Sequence, residues 1–320
     1  MTVAPAQMLL QVADLALKFR AGNRVVHALR GVSFSLAPSE ILAIVGESGS
    51  GKSVTGLSLL RLHGKNAELQ GQIKLSGEDL NAKNEAEMRK IRGRRIAMIF
   101  QEPMTALNPV FTVGFQLNEV LELHMGLSPN DARHEAIQLM GKVGIPEPEL
   151  RLENYPFQLS GGMRQRVLIA MALAAKPEIL IADEPTTALD VTIQSQILRL
   201  LREINEREKT SMIFITHDLG IVARLAHRVA VMYAGEIVET GTVAEIFASP
   251  KHPYTKALLA SVADVPRGNR LSAIPGSPPQ LSEAIHGCAF APRCALAEPA
   301  CREKIPLRSA QQHEWRCIHE

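Results

Sequence analysis

The sequence predicts an α/β protein. Its core is a mostly parallel sheet, joined by an antiparallel β subdomain, an inserted helical subdomain and a small irregular C-terminal appendage. Three observations point to this. Short apolar runs at 41–45, 96–100, 179–182 and 212–215 alternate with helical stretches, as strands buried on both faces of a sheet do. Residues 8–18 and 24–37 alternate apolar and polar around Ala21-Gly22-Asn23 and read as a hairpin. Beyond about Pro250 the chain turns rich in Pro and polar residues and carries all four cysteines, a composition shift that marks an appendage.

Taken in order, the hairpin is followed by the buried strand 41–45, a glycine-rich loop and a helical segment over 54–62. A short strand is expected at 72–75, a polar helix over 84–92 and a buried strand over 96–100. Residues 102–158 hold helical patterns at 113–124 and 131–143, with breaks at Pro103, Pro109, Pro146, Pro148 and Pro156. A helix over 164–175 follows, and the inserted subdomain spans about 102–175. The sheet pattern resumes at 179–182, with a helix over 191–207, a strand at 212–215 and a strand pair near 229–238. The domain boundary is expected near residue 250, leaving 251–320 as the C-terminal extension.

Composition narrows the class. An apolar fraction of 46% supports a substantial core. With 35 basic and 33 acidic residues the net charge is +2, which argues against a dedicated nucleic-acid binder. No apolar run approaches the ~20 residues that cross a bilayer, and the N-terminus lacks the pattern of a signal peptide. A cytosolic protein is expected, attached to any membrane only through partners. The basic run Arg89-Lys90, Arg92 and Arg94-Arg95 reads as a solvated helix face.

Three segments carry chemistry. Gly46-Glu47-Ser48-Gly49-Ser50-Gly51-Lys52-Ser53 follows an apolar strand and opens a helix, the context of a phosphate-binding P-loop. Its glycines let backbone N–H groups turn inward, the helix start adds a positive dipole end, Lys52 reaches the β- and γ-phosphates, and Ser53 ligates Mg²⁺. Ile179–Ala182 ends in Asp183, placed to hold the Mg²⁺ shell, and Glu184, placed to polarise an attacking water. Ser160-Gly161-Gly162 before a helix offers N–H groups, a hydroxyl and a dipole to an anion, or a plain N-cap.

Gly46–Ser53, Gln101, Leu159–Met163, Ile179–Glu184, Ala188-Leu189-Asp190 and His217 together resemble the motif set of an ATP-binding cassette (ABC) ATPase, in that family's order, over roughly residues 8–250. The resemblance implies roles residue by residue. Gln101 senses Mg²⁺ and links to a membrane subunit, and His217 contacts the γ-phosphate. Ser160 and Gly162 reach ATP on an opposing subunit, Asp190 lies at the dimer interface, and Phe19 stacks on adenine. Met163 departs from the glutamine or glutamate of many members, so the site that this signature completes differs in detail.

The flank 100–109, the segment 232–239 and His252-Pro253-Tyr254 with the residues after it resemble the ATPase subunits of bacterial dipeptide, oligopeptide and nickel importers. This implies a homologous second ATPase subunit, two transmembrane permease subunits, an extracytoplasmic solute-binding protein, and a place on the cytoplasmic face of the bacterial inner membrane. Peptide import is the main reading. Uptake of nickel or another small solute, or a soluble ABC ATPase of DNA repair or translation, is the alternative. Cys288, Cys294, Cys301 and Cys317 leave five, six and fifteen residues between them, a spacing that fits structural zinc poorly. A [4Fe–4S] cluster fits four such thiolates, and the dipeptide-permease likeness points the same way; zinc and free or redox-active thiols are the other readings. His286, His313 and His319 read as surface residues.

Overall fold

A computed structural model describes residues 8–22, 24–101, 106–187, 189–262, 274–282 and 285–319. The chain divides into two compact units, one built from Met1–Ala82 with Phe214–Glu320, the other from Lys83–Ile213. The Asn23 corner of the hairpin, Glu102–Thr105 after Gln101, and Ala188 lie outside the described residues.

The first unit begins with β1 (Leu10–Ala21) and β2 (Arg24–Leu36), the expected hairpin, paired antiparallel from Leu10↔Leu36 to Ala21↔Arg24. After them come β3 (Ile41–Val45), α1 (Lys52–Leu59), β4 (Ala67–Leu75) and β5 (Glu78–Asp79). A four-stranded antiparallel sheet runs in the order β2-β1-β4-β5. Leu10, Leu15, Leu17, Leu29, Val32 and Leu36 supply its buried face. All of β3 is buried, which is why it reads as an unbroken apolar run.

The second unit runs from α2 (Glu85–Ile91) and β6 (Ile96–Ile99) into a helical region. That region holds α3 (Val113–Met125), α4 (Pro129–Lys142), α5 (Pro148–Leu152) and α6 (Gly161–Leu173). Its ends are set by local chemistry: Thr112 and Ser128 cap α3 and α4 through their hydroxyls, and Gly126 closes α3 in the left-handed conformation. Val113, Leu117, Leu121, Ala132, Ala136, Met140, Leu152 and Val167 are buried on these helices. Then follow β7 (Ile179–Asp183), parallel to β6 in the register Ile96↔Ile179, α7 (Val191–Glu208) and β8 (Ser211–Thr216), whose last residues return to the first unit. The basic run is partly paired off, Arg92 with Glu85 and Arg95 with Glu178.

Back in the first unit lie α8 (Leu219–Leu225), β9 (Arg228–Tyr233), β10 (Glu236–Thr242), α9 (Val243–Ala248), α10 (Pro253–Val262), β11 (Arg308–Ala310) and β12 (His313–Trp315). Here the sheet is mixed. β3 and β9 are parallel, β9 and β10 antiparallel, and β12 and β11 extend the edge antiparallel, in the order β11-β12-β10-β9-β3. The return of the Pro-rich tail to the sheet is a feature its composition does not announce. His313 also departs from expectation: it is buried, and its Nε2 meets Glu239 Oε1 at 2.7 Å. Among the described residues no helix is long and apolar enough to cross a membrane.

Candidate functional site

The glycine-rich loop links β3 to α1, and its backbone shows why glycine stands there. Gly46 has φ 155, and a Cβ on it would lie 2.1 Å from the Met232 carbonyl oxygen at the end of β9. Gly51 caps α1 at φ 103. The Gly235 N–H, from the turn after β9, donates to Ser50 O at 2.9 Å and ties the loop to the sheet. Lys52 is buried, and its Nζ donates to Gly46 O and Glu47 O, both at 2.9 Å. Its charge is thus held inside the curl of the loop. Ser50 Oγ is buried with no hydrogen-bond partner among the described residues, an open position for a ligand oxygen. Ser48 and Gly49 form the exposed tip, and Ser53 is half-buried in the first turn of α1. On the same unit, Phe19 is half-buried in β1 between Val26 and Ala67, and His217 is exposed directly after β8.

Two side chains that sequence reasoning did not single out grip this loop. Tyr254 Oη accepts the Glu47 N–H at 2.8 Å, and Arg293 forms a two-pronged ion pair with the Glu47 carboxylate at 2.6 and 3.0 Å. The His252-Pro253-Tyr254 segment was the available signal for Tyr254; a contact between residues 246 positions apart left none for Arg293.

In the second unit, Asp183 is buried at the end of β7, and Glu184 follows with φ 45. A glutamate in the left-handed region carries backbone strain, and such strain gathers at functional positions. Its Oε2 accepts from Thr187 Oγ1 at 2.9 Å and from Gln101 Nε2 at 3.3 Å. Gln101 and Glu184, far apart in sequence, therefore share one small network. Ser160 caps α6, its Oγ accepting the Met163 N–H at 3.3 Å, so within this chain the plain N-cap role is the one it plays. Gly161 is exposed beside it, and a Cβ on Gly162 would lie 2.8 Å from Ile193 Cγ2. Asp190 is likewise an N-cap, accepting the Ile193 N–H at 2.9 Å to start α7.

In the tail, Cys288, Cys294, Cys301 and Cys317 are free thiols that line one small cavity together with His252 and His319. Among the described residues no group of three or more His, Cys, Asp or Glu side chains is placed to hold a metal ion. Burial pushes the Cys288 thiol up to about 11 and raises that of Cys317.

The fold and the loop define a nucleotide-binding cassette, and the comparisons agree. Residues 29–187 match the ABC transporter family, and residues 238–301 match the oligopeptide/dipeptide transporter C-terminal region. The chain is 53% identical to the probable peptide ABC transporter ATP-binding protein y4tR of Sinorhizobium fredii, over 96% of this chain and 93% of that one. It is 54% identical to the oligopeptide transport ATP-binding protein OppD of Bacillus subtilis, over 93% and 84%. Among solved structures, the ATP-binding cassette MJ0796, in a dimeric post-hydrolysis state bound to ADP and Pi, superposes with a TM-score of 0.66 at 27% identity, over 73% of this chain and 98% of that one. The chain belongs to the ATP-binding proteins of the ABC transporter family. It is an ATPase.

Proposed function

We propose that this chain is the ATP-hydrolysing subunit of a membrane importer of di- and oligopeptides. The observation that carries the reading is the match of residues 238–301 to the oligopeptide/dipeptide transporter C-terminal region, in a chain whose P-loop curl is already built around a buried Lys52. Gly46–Ser53 cradles the phosphates, and Lys52 exchanges the carbonyls of Gly46 and Glu47 for phosphate oxygens. Ser53, Asp183 and Gln101 are the residues that would hold Mg²⁺, whose charge would neutralise that of the phosphates. Glu184, pinned by Thr187 and Gln101, accepts a proton from the attacking water, and His217 contacts the γ-phosphate. Phe19 stacks on adenine.

Ser160, Gly161 and Gly162 reach the ATP of a homologous second ATPase subunit, with Asp190 at the same interface. Closure of that pair follows because only the closed state offers ATP both sets of contacts. Two transmembrane permease subunits receive the motion, and an extracytoplasmic solute-binding protein delivers the peptide. Val110, Phe111 and Phe115, exposed apolar residues on and before α3, suit a cytoplasmic helix of a permease. The chain thus works at the cytoplasmic face of a bacterial inner membrane. The four tail cysteines line one cavity and are the residues that would ligate a [4Fe–4S] cluster, which would supply a structural or redox-sensing centre to the tail.

Glu184→Gln tests the core of this reading. It is expected to abolish steady ATP hydrolysis while preserving ATP-dependent dimerisation with the partner ATPase, followed by phosphate release and by gel filtration. Full hydrolysis in that variant would remove Glu184 from its role. Failure of the tagged chain to co-purify with any permease subunit would count against the importer.

A further inference from the structure

A loop built to hold a polyphosphate carries a carboxylate at its second position. Left alone, the Glu47 charge would oppose the incoming anion. In the structure that charge is matched. Arg293 Nη1 meets Oε2 at 2.6 Å and Nη2 meets Oε1 at 3.0 Å, the parallel fork that suits guanidinium and carboxylate. The guanidinium is locked from its other sides. Its Nε donates to Pro275 O at 2.8 Å, Nη2 to Ile274 O at 3.3 Å and Nη1 to Tyr233 Oη at 3.2 Å. The carbon of the guanidinium also lies 5.8 Å from the Tyr233 ring centroid and 5.9 Å from that of Phe290. Only 4% of the Arg293 side chain is exposed.

The backbone of the same residue is held too. The Glu47 N–H donates to Tyr254 Oη, and that ring is fully buried with its centroid 4.6 Å from Tyr233's. Both the charge and the peptide orientation of Glu47 are therefore set by residues beyond 250.

We infer that Arg293 and Tyr254 are positioning residues of the ATP site: the C-terminal tail neutralises the P-loop carboxylate and fixes the Gly46–Glu47 peptide, so that ATP affinity depends on the docked tail. The inference rests on the P-loop assignment above. Neither residue needs to touch the nucleotide. Arg293 acts by cancelling a charge that works against the phosphates, and a role of that kind has an electrostatic signature. Removing the arginine is harmful because Glu47 is left bare; removing the carboxylate as well takes away the harm.

Equilibrium binding of a ribose-labelled fluorescent ATP to the full-length chain decides it. Arg293→Gln is expected to weaken binding about tenfold, the scale of one partly buried charge-assisted pair. Glu47→Gln added to it should restore affinity to within about threefold of the parent, since the repulsion is gone. Glu47→Gln alone should bind more tightly than the parent, because a guanidinium is then left uncompensated beside the loop. If Arg293 serves only to fold the tail, the double variant stays as weak as Arg293→Gln, and that result overturns the inference. Should Arg293→Gln fail to fold, as the fluorescence of Trp315 would report, Glu47→Gln alone decides, and unchanged or weaker binding overturns the inference. Lys52→Ala run in parallel must lose binding; normal binding there would sink the P-loop assignment itself, a failure distinct from that of Arg293.

Discussion

Replacing Gly46 by alanine forces a methyl group to within 2.1 Å of the Met232 carbonyl oxygen and 2.9 Å of Ser50 Oγ. Carbon and oxygen do not approach closer than about 3 Å without repulsion, so roughly 1 Å of separation has to open between the loop and the end of β9. Neither side yields cheaply. Met232 O is backbone, and β9 lies between β3 and β10, paired on both edges. The φ of 155 adds conformational strain, since side-chain-bearing residues avoid that region. Overpacking and strain together put the cost at about 3–5 kcal/mol.

Gly49→Ala is the control. Its φ is 77, but a Cβ there meets nothing within 4 Å, so only the left-handed penalty of about 1–2 kcal/mol applies. Urea unfolding followed by fluorescence measures both, because Trp315, the only tryptophan in the sequence, is 7% exposed in β12 of the same unit. If Gly46→Ala costs no more than Gly49→Ala, the close approach of loop and strand is not what selects glycine at position 46.

Two more outcomes are expected. Glu245 closes a capping box on α9 and is held below the usual carboxylate range, first by the Thr242 backbone N–H and then by its hydroxyl. A depressed folded value means the stabilisation is present above the unfolded carboxylate value and is lost as pH falls through the folded one. Glu245→Gln should therefore cost about 0.5 kcal/mol at neutral pH, with the gap to the parent closing in acid; a gap that persists would deny the charge any part in the cap. For the tail, chain purified without oxygen should absorb near about 400 nm, as cysteine-ligated iron–sulfur clusters do, and Cys288→Ser should lose that band. A colourless parent chain with a full iron assay of zero would end the cluster reading.

How legible the chain was depends on whether a signal is local. β3 and β7 are buried along their whole length, so each reads as an apolar run, and the groups that follow, Gly46–Ser53 and Asp183-Glu184, inherit their position from the strand ends. Helix ends are legible within a few residues where a cap exists: α4, capped by Ser128, starts at Pro129, two residues before the pattern at Asp131 shows it. The sequence predicts β4 over 72–75, whereas it begins at Ala67, because its first half is largely exposed and carries little apolar alternation. Ser160 and Asp190 show a deeper ambiguity. A hydroxyl or carboxylate before a helix serves a cap and an anion site with the same chemistry, so residue type alone does not separate the two roles. Arg293 lay beyond reach altogether. An ion pair closed across most of the chain leaves no periodicity, and Pro292-Arg293-Cys294 looks like any turn in a tail.

The return of the tail to the sheet has a consequence for truncated forms. β12 pairs with β10 through Glu239↔Trp315 and Thr240↔Glu314, and β11 then closes the row. A chain ending before Arg308 would present β10 as a bare edge, with N–H and C=O groups ready to template another strand. It would also strip His313 from Glu239, leaving a fully buried carboxylate short of one partner. The last short hairpin is thus a solubility device: shortened versions of this protein should self-associate edge to edge even where their nucleotide loop is intact.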